Sequence, residues 1–227
     1  MPGVRERART ELTAQIKRTA RRHLARDGAA GLSLRAVARD LDMVSSAVYR
    51  YFPSRDHLLT ALIIDAYDAF GAAAERAEAA VPRDDLLGRW RAAGEAAYRW
   101  SGRHAAEYAL IFGSPVPGYR APDDTIGPAG RFTGVLLGIL VDAHAAGVRP
   151  PQVSPLGAVV LADIDHLRAR IAVDIDAEWL AAGLRAWTSL IGLIGFIRFG
   201  HLHNVVVDHD AYFSDSLDRL GRSVIPG

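Results

Sequence analysis

Residues 32–59 read LSLRAVARDLDMVSSAVYRYFPSRDHLL, and the spacing of their apolar side chains decides the fold. Leu34, Val37, Ala38 and Leu41 recur at i, i+3, i+4 and i+7, which makes one buried face of a short helix. Ser33 stands where an N-cap belongs, because its side-chain oxygen can accept from an amide of the first turn. Asp42 and Met43 break the pattern. Ser45 and Ser46 then open a second short segment, on which Val44, Val48 and Phe52 share a face at i+4 spacing and can pack on the first helix. The opposite side carries Ser45, Ser46, Tyr49 and Arg50, small or hydrogen-bonding groups with no reason to be buried. A helix that enters the major groove needs small residues near its start, so that backbone approaches base edges, and side chains that reach bases or phosphates. The segment meets both needs and is expected to be a helix-turn-helix.

Pro53 ends the second helix, since a proline disfavours helical geometry in the residue before it, and Ser54 caps a third that begins Arg55, Asp56, His57. The free amides of that helix start, its positive dipole end and Arg55 together are expected to grip a phosphate. Upstream, residues 5–24 place Leu12, Ile16, Ala20 and Leu24 on one stripe, with Arg7, Arg9, Lys17, Arg18, Arg21 and Arg22 largely off it. That helix would support the reader and offer basic groups to a nucleic-acid backbone.

In order and spacing, Gly31, Leu32 and Ser33, then Ala36, Val37 and Ala38, then Val48, Tyr49, Tyr51 and Phe52, then Ser54, Arg55, Leu58 and Leu59 resemble the tetracycline-repressor-like (TetR) family of bacterial regulators. The likeness covers the three-helix DNA-binding domain, roughly the first quarter of the chain. Two positions depart from the family pattern: Asp42 replaces the usual turn glycine and Arg55 the usual lysine. Asp tolerates left-handed geometry better than most residues, and Arg can hold a phosphate through two donors. The resemblance implies that Arg35 lies near base edges or phosphate, that Ser45, Ser46, Ala47 and Tyr49 lie on the recognition helix, and that Arg50, Tyr51 and Arg55 reach phosphates. Core packing is the competing reading for Tyr49 and Tyr51, whereas Val48 and Phe52 belong to the core. With Ser and Ala dominating the tip, DNA shape is expected to matter beside direct readout.

The whole chain, 227 residues with 50% hydrophobic content and a formal charge of +1, is long enough for two domains. The small net charge conceals a segregation. Residues 1–60 hold twelve Lys or Arg against six Asp or Glu, and the rest fifteen against twenty, so the N-terminal part is +6 and the remainder −5. A nucleic-acid-facing end on an acidic body accounts for that asymmetry. There is no cysteine, which removes disulfide frameworks and thiolate chemistry. The opening MPGVRERART lacks the apolar run of a signal peptide, and the longest apolar stretch, 190–197, falls short of the roughly 20 residues of a bilayer span. A cytoplasmic protein with no membrane partner is expected.

Beyond the reader, no segment alternates with period two, so the expected class is all-α: a helix-turn-helix domain over 1–54, then a helical effector-binding and dimerisation domain over 55–227. Apolar periodicity runs from Leu58 through Phe70 until Pro82 and Arg83 interrupt it. Further helices are expected over 86–100, 104–112, 131–146, 155–172, 177–200 and 209–221, with an irregular Pro- and Gly-rich loop over 113–130 and Pro150, Pro151 and Pro155 as punctuation. The stretch 179–202, WLAAGLRAWTSLIGLIGFIRFGHL, is apolar nearly all round in its second half and must be buried on several sides, in its own core or in a partner. Gly192 and Gly195 would permit close helix approach. The resemblance implies that 177–202 and 209–221 pair with their copies as a homodimer interface.

Aromatic and polar side chains concentrate in the middle of the chain. The resemblance implies a pocket there for a largely apolar small-molecule effector, for which Trp90, Tyr98, Arg99, His104, Tyr108, Phe112, Phe132 and Trp187 are candidates, with Arg99 and His104 as polar anchors. For each aromatic, core packing competes with ligand contact. No catalytic constellation is present: HExxH, GxSxG and Walker A patterns do not occur. His201, His203, His209, Asp208 and Asp210 suggest a zinc site only weakly, because Asp208 or Asp210 serves equally as a helix cap and Asp176 as another. No cofactor, metal or enzymatic activity is expected. The leading expectation is a homodimeric repressor of double-stranded operator DNA, released by an effector. The alternative is a DNA-bound adaptor whose C-terminal domain binds a protein partner, which predicts an exposed apolar groove instead of a cavity.

Overall fold

The computed structural model describes residues 3–149 and 155–225; Pro150 and Pro151 lie outside the described residues. The described residues form helices and connections, with no strand: α1 (Val4–Asp27), α2 (Leu34–Asp40), α3 (Ser45–Tyr49), α4 (Arg55–Ala79), α5 (Leu86–Arg103), α6 (Ala105–Phe112), a 3-10 turn (Asp123–Thr125), α7 (Ile126–Ala145), α8 (Ala158–Ile171), α9 (Ala177–Arg198) and α10 (His209–Arg222). Contacts divide the chain into two compact units, Met1–Asp68 with His104–Ala129, and Ala69–Arg103 with Gly130–Gly227.

The first unit is larger than residues 1–54. Its core gathers Ile16 and Ala20 of α1, Leu34, Val37 and Ala38 of α2, Val48 of α3, Phe52, and Leu58, Leu59 and Leu62 of α4, with Leu110 of α6, Val116 and Tyr119 packed against it. Side-chain hydrogen bonds hold the later segment in place. The Tyr67 hydroxyl donates to the Ile111 carbonyl at 3.2 Å, Thr60 Oγ1 and Tyr119 Oη lie 2.9 Å apart, and Tyr67 meets Phe112 edge-on. A short apolar helix such as α6 gains from covering the three-helix core, which alone is too small to bury its own apolar surface fully.

The loop expected over 113–130 ends sooner than its composition implies. It passes through the 3-10 turn into α7, so Gly127, Pro128 and Gly130 are helical. Pro128 falls in the first turn of α7, where amides have no intrahelical acceptor and a missing N–H costs nothing.

In the second unit, α10 lays Phe213, Leu217 and Gly221 on α5 and α9. A Cβ at Gly221 would stand 2.6 Å from Trp90 Cδ1, and one at Gly94 would collide with Leu217, so these glycines set how closely α5 and α10 approach. The Trp90 indole N–H donates to the Leu217 carbonyl at 2.9 Å. Phe70 packs on Trp100 and Phe132, at ring separations of 5.3 and 4.8 Å. Arg89, 1% exposed, places Nε 2.6 Å from Glu78 Oε1, Nη2 2.8 Å from Asp142 Oδ2 and Nη1 3.0 Å from the Arg83 carbonyl. Arg83 in turn reaches Glu78 at 2.7 Å and Asp142 at 2.5 Å.

Helix α9 is two-sided. Trp179, Ala186, Leu190, Ile194 and Ile197 are buried, whereas Leu184, Thr188, Gly192, Phe196 and Phe199 are exposed at near four-residue spacing. A Cβ at Gly192 would meet nothing within 4 Å. By length and composition alone, α9 and the segment Asp123–Ala145 are apolar enough to cross a membrane, which the longest unbroken apolar run did not show. The buried face of α9 and its exposed stripe account for that composition.

Candidate nucleic-acid interface and sensing region

The turn between α2 and α3 is built on a left-handed residue. Asp42 has φ 52°, the Asp42 amide donates to Arg39 O at 3.1 Å, and the Met43 amide donates to Ala38 O at 2.9 Å. This paired closure is a Schellman motif, which ordinarily has glycine at its left-handed position. Ser33 caps α2 by accepting from the Ala36 amide, and Ser54 Oγ accepts from the His57 amide at the start of α4. Buried His23 contacts Asp40 Oδ2 at 2.6 Å, joining α1 to the end of α2, and that hydrogen bond holds the Asp40 carboxyl below its usual range.

With Val48 and Phe52 anchored in the core, α3 turns its remaining positions outward. Ser46, Tyr49 and Arg50 are exposed, Ser45 and Ala47 half-buried, and Arg35 projects from α2 into solvent. Tyr51 is half-buried on the core, with the Arg9 guanidinium 5.8 Å above its ring. Val44 departs from expectation. It is 69% exposed because it occupies the extended N-cap position of α3, before the helix has set the direction of its side chains.

Arg55 is engaged within the fold. Nη2 donates to Ala29 O at 2.8 Å and to Ala30 O at 3.4 Å, and Nε donates to Leu32 O at 3.2 Å. Donors expected to face DNA thus brace the α1–α2 connection. Lys17 and Arg21 are likewise engaged: Asp65 accepts from them at 2.8 and 2.5 Å. An acidic residue inside the apolar run of α4 was the available sequence signal for that pairing. Arg5, Arg7, Arg9, Arg18 and Arg22 of α1 are exposed. A capped α2, a tight turn and an α3 anchored by one face and open on the other define a helix-turn-helix DNA-binding protein.

The candidate effector residues are divided between the two units. His104, Tyr108 and Phe112 belong to the first unit, where Tyr108 is buried against Phe112 at 5.1 Å and His104 lies 3.9 Å from Glu107. The other five belong to the second. Trp90 and Phe132 are buried in its core, and exposed Arg99 pairs with Glu95 one turn away at 2.9 Å. Tyr98 stacks on Phe213 at 4.0 Å, donates to Asp210 at 2.6 Å and lies under the Arg198 guanidinium at 4.1 Å. Burial first, and then the Asp210 hydrogen bond, push its hydroxyl up to about 12. An open polar recess of about 610 Å³ is lined there by Tyr98, Arg198, Asp208, His209 and Asp210. Asp208 caps α10 by accepting from the Ala211 amide at 2.9 Å; Asp176 occupies the N-cap position of α9 without a capping side-chain bond. Trp187 lines a separate apolar cleft of about 420 Å³ formed by α7, α8 and α9. The aliphatic walls of this cleft carry no aromatic signal that would mark them in the sequence.

Comparisons with known proteins agree with this architecture. Residues 16–62 match the family described as bacterial regulatory proteins, tetR family, and residues 90–220 match the tetracyclin repressor-like C-terminal domain. The HTH-type transcriptional regulator Rv1816 of Mycobacterium tuberculosis is 38% identical over 223 residues, covering 96% of this chain and 94% of the relative. The crystal structure of the regulatory protein SCO4313 superposes with a TM-score of 0.77 at 34% identity, covering 97% of this chain and 98% of that one. A tetR-family protein from Rhodococcus RHA1 shares the fold at 18% identity, with a TM-score of 0.64 over 93% of this chain and 96% of its own. The chain belongs to the TetR family. It is a DNA-binding transcriptional regulator and not an enzyme.

Proposed function

We propose that the protein is a homodimeric, cytoplasmic repressor that leaves its operator when a small molecule occupies the second unit. The observation that carries the DNA part is the outward display of Arg35, Ser46, Tyr49 and Arg50 from a capped and core-anchored α2–α3 pair. In the dimer, two such readers enter successive major grooves roughly 34 to 36 Å apart, one turn of DNA. Support for dimerisation comes from the exposed stripe of α9, Leu184, Thr188, Gly192, Phe196 and Phe199. A second stripe on α10, Tyr212, Ser216 and Leu220, is left over after Phe213, Leu217 and Gly221 are used inside the fold. Burying such apolar rows against a copy is favourable at about 25 cal/mol per Å².

The test starts from operator selection out of random duplexes, followed by anisotropy titrations at several salt concentrations. Tyr49→Ala with Arg50→Ala is expected to weaken operator binding and flatten the salt dependence while the protein stays folded. Unchanged affinity and slope would remove α3 from the interface. Reciprocity requires that operator and effector weaken each other by the same factor, typically about 1 to 3 kcal/mol of coupling. Equal effector affinity with and without operator would refute release by ligand.

A further inference from the structure

Among the described residues between Ser33 and Phe52, one large aliphatic side chain stands in solvent: Val44, 69% exposed. Its direction is fixed from both sides. The Met43 amide donates to the Ala38 carbonyl at 2.9 Å, and the Met43 side chain packs on the core of the first unit. Val44 follows with extended backbone, φ −68° and ψ 140°, and its carbonyl accepts from the Ala47 amide at 2.9 Å. Successive side chains of an extended backbone point to opposite sides, so anchoring Met43 inward turns Val44 outward. The isopropyl group is thus held out by the turn itself.

Arg35, Ser46, Tyr49 and Arg50, the other outward groups assigned to DNA, all carry hydrogen-bonding atoms. The Val44 side chain carries none, so it can serve neither a phosphate nor a donor or acceptor on a base edge. The major groove offers an isopropyl group one partner of its own kind, the C5-methyl of a pyrimidine, which in unmodified DNA only thymine carries. Residues at the start of a recognition helix are those that meet base edges, and Val44 immediately precedes α3.

We propose that Val44 reads one thymine in each operator half-site by packing its isopropyl group on the C5-methyl. The contact belongs to the side chain and not to the amides of the five-residue helix. The inference rests on the DNA-reading role of α3 proposed above and adds to it the base and the atom recognised.

The test uses the full-length protein and the operator it selects from random duplexes. Each thymine is replaced in turn by deoxyuridine, at equivalent positions of both half-sites together, and affinity is read by anisotropy. Deoxyuridine keeps every hydrogen-bonding group and lacks only the methyl. One position is expected to lose about fourfold per half-site, the equivalent of about 0.8 kcal/mol for one buried methyl, and roughly fifteenfold for the pair. Val44→Ser removes the isopropyl group and offers α3 the capping oxygen it lacks, so the reader stays folded. In that variant the thymine and deoxyuridine duplexes are expected to bind within about twofold of each other, at undiminished melting temperature. Val44→Ala, which adds no polar atom, is expected to lower the ratio at least about twofold. Tyr49→Ala is expected to weaken both duplexes and preserve their ratio.

The assignment is overturned if no thymine of the operator is sensitive to loss of its methyl, or if Val44→Ser and Val44→Ala leave the ratio unchanged. A ratio lost in Tyr49→Ala and kept in Val44→Ser would give the methyl to Tyr49 instead. Each of these results refutes the role of Val44 while α3 remains the reader. A protein that enriches no duplex at all refutes the DNA-reading role of α3, and the inference with it.

Discussion

The buried arginine of the second unit allows a prediction in which the order of effects, more than their size, carries the test. Arg89 is fully enclosed and shared by Glu78, Asp142 and the Arg83 carbonyl. Glu78→Leu removes its best-buried counterion and leaves Asp142, whose side chain is 39% exposed, as the remaining one. Breaking a buried ion pair by removing one partner costs about 3 to 5 kcal/mol. Arg89→Met is different. It removes the cation, fills most of its volume, and leaves Glu78 still paired with Arg83 at 2.7 Å, so the cost falls to about 1 to 3 kcal/mol. The double variant is expected to be more stable than Glu78→Leu alone. All four tryptophans, Trp90, Trp100, Trp179 and Trp187, lie in the second unit, so urea denaturation followed by tryptophan emission reports that unit selectively. In thermal terms Glu78→Leu corresponds to a drop of roughly 6 to 20 °C. If Arg89→Met cost as much as Glu78→Leu, or if the double variant simply summed the two losses, buried charge would not be what holds this network.

Three further outcomes are expected. At Asp42, φ 52° admits few side chains, so Asp42→Val should destabilise the first unit by about 1 to 2 kcal/mol while Asp42→Gly stays near neutral, as read by hydrogen exchange of α2 and α3 amides; equal behaviour would deny the left-handed turn. Arg55→Ala should loosen the α1–α2 connection by about 1 to 2 kcal/mol and leave the salt dependence of operator binding nearly unchanged; a lost phosphate contact in that titration would return Arg55 to the DNA surface. Tyr98, held at about 12, keeps its proton in the folded chain after the unfolded chain has lost it near 10, so stability should be full below about pH 10 and fall between about 10 and 12; Tyr98→Phe should flatten that decline, and an unaltered alkaline limb would contradict it.

The reader was legible because short-range rules govern it. Ser33, Asp42, Val48, Phe52 and Ser54 each do what local geometry asks of a cap, a turn or an apolar face, and the structure places them so. Val44 misled because i+4 spacing was extended one residue past the helix start. The intramolecular contacts of Arg55 were not legible because the carbonyls that accept from it lie more than twenty residues earlier in the chain and come within reach only after folding. The surroundings of the tryptophans in the second unit were less legible for the same reason at longer range. Trp90 and Trp187 are the same residue type on apolar helices, but one finds a carbonyl 127 positions away and the other finds none among the described residues, and no local pattern separates them.

Helix α3 has five residues, of which Val48 is spent on the core. Four positions remain to carry information, and each can distinguish at most one base pair from three others. Uniqueness among about 10⁶ competing genomic sites needs about ten specified base pairs. One copy of this helix therefore writes too short an address, and the missing digits must come from a second copy, from Arg35, Val44, Arg50 and the arginines of α1, or from how readily the duplex deforms.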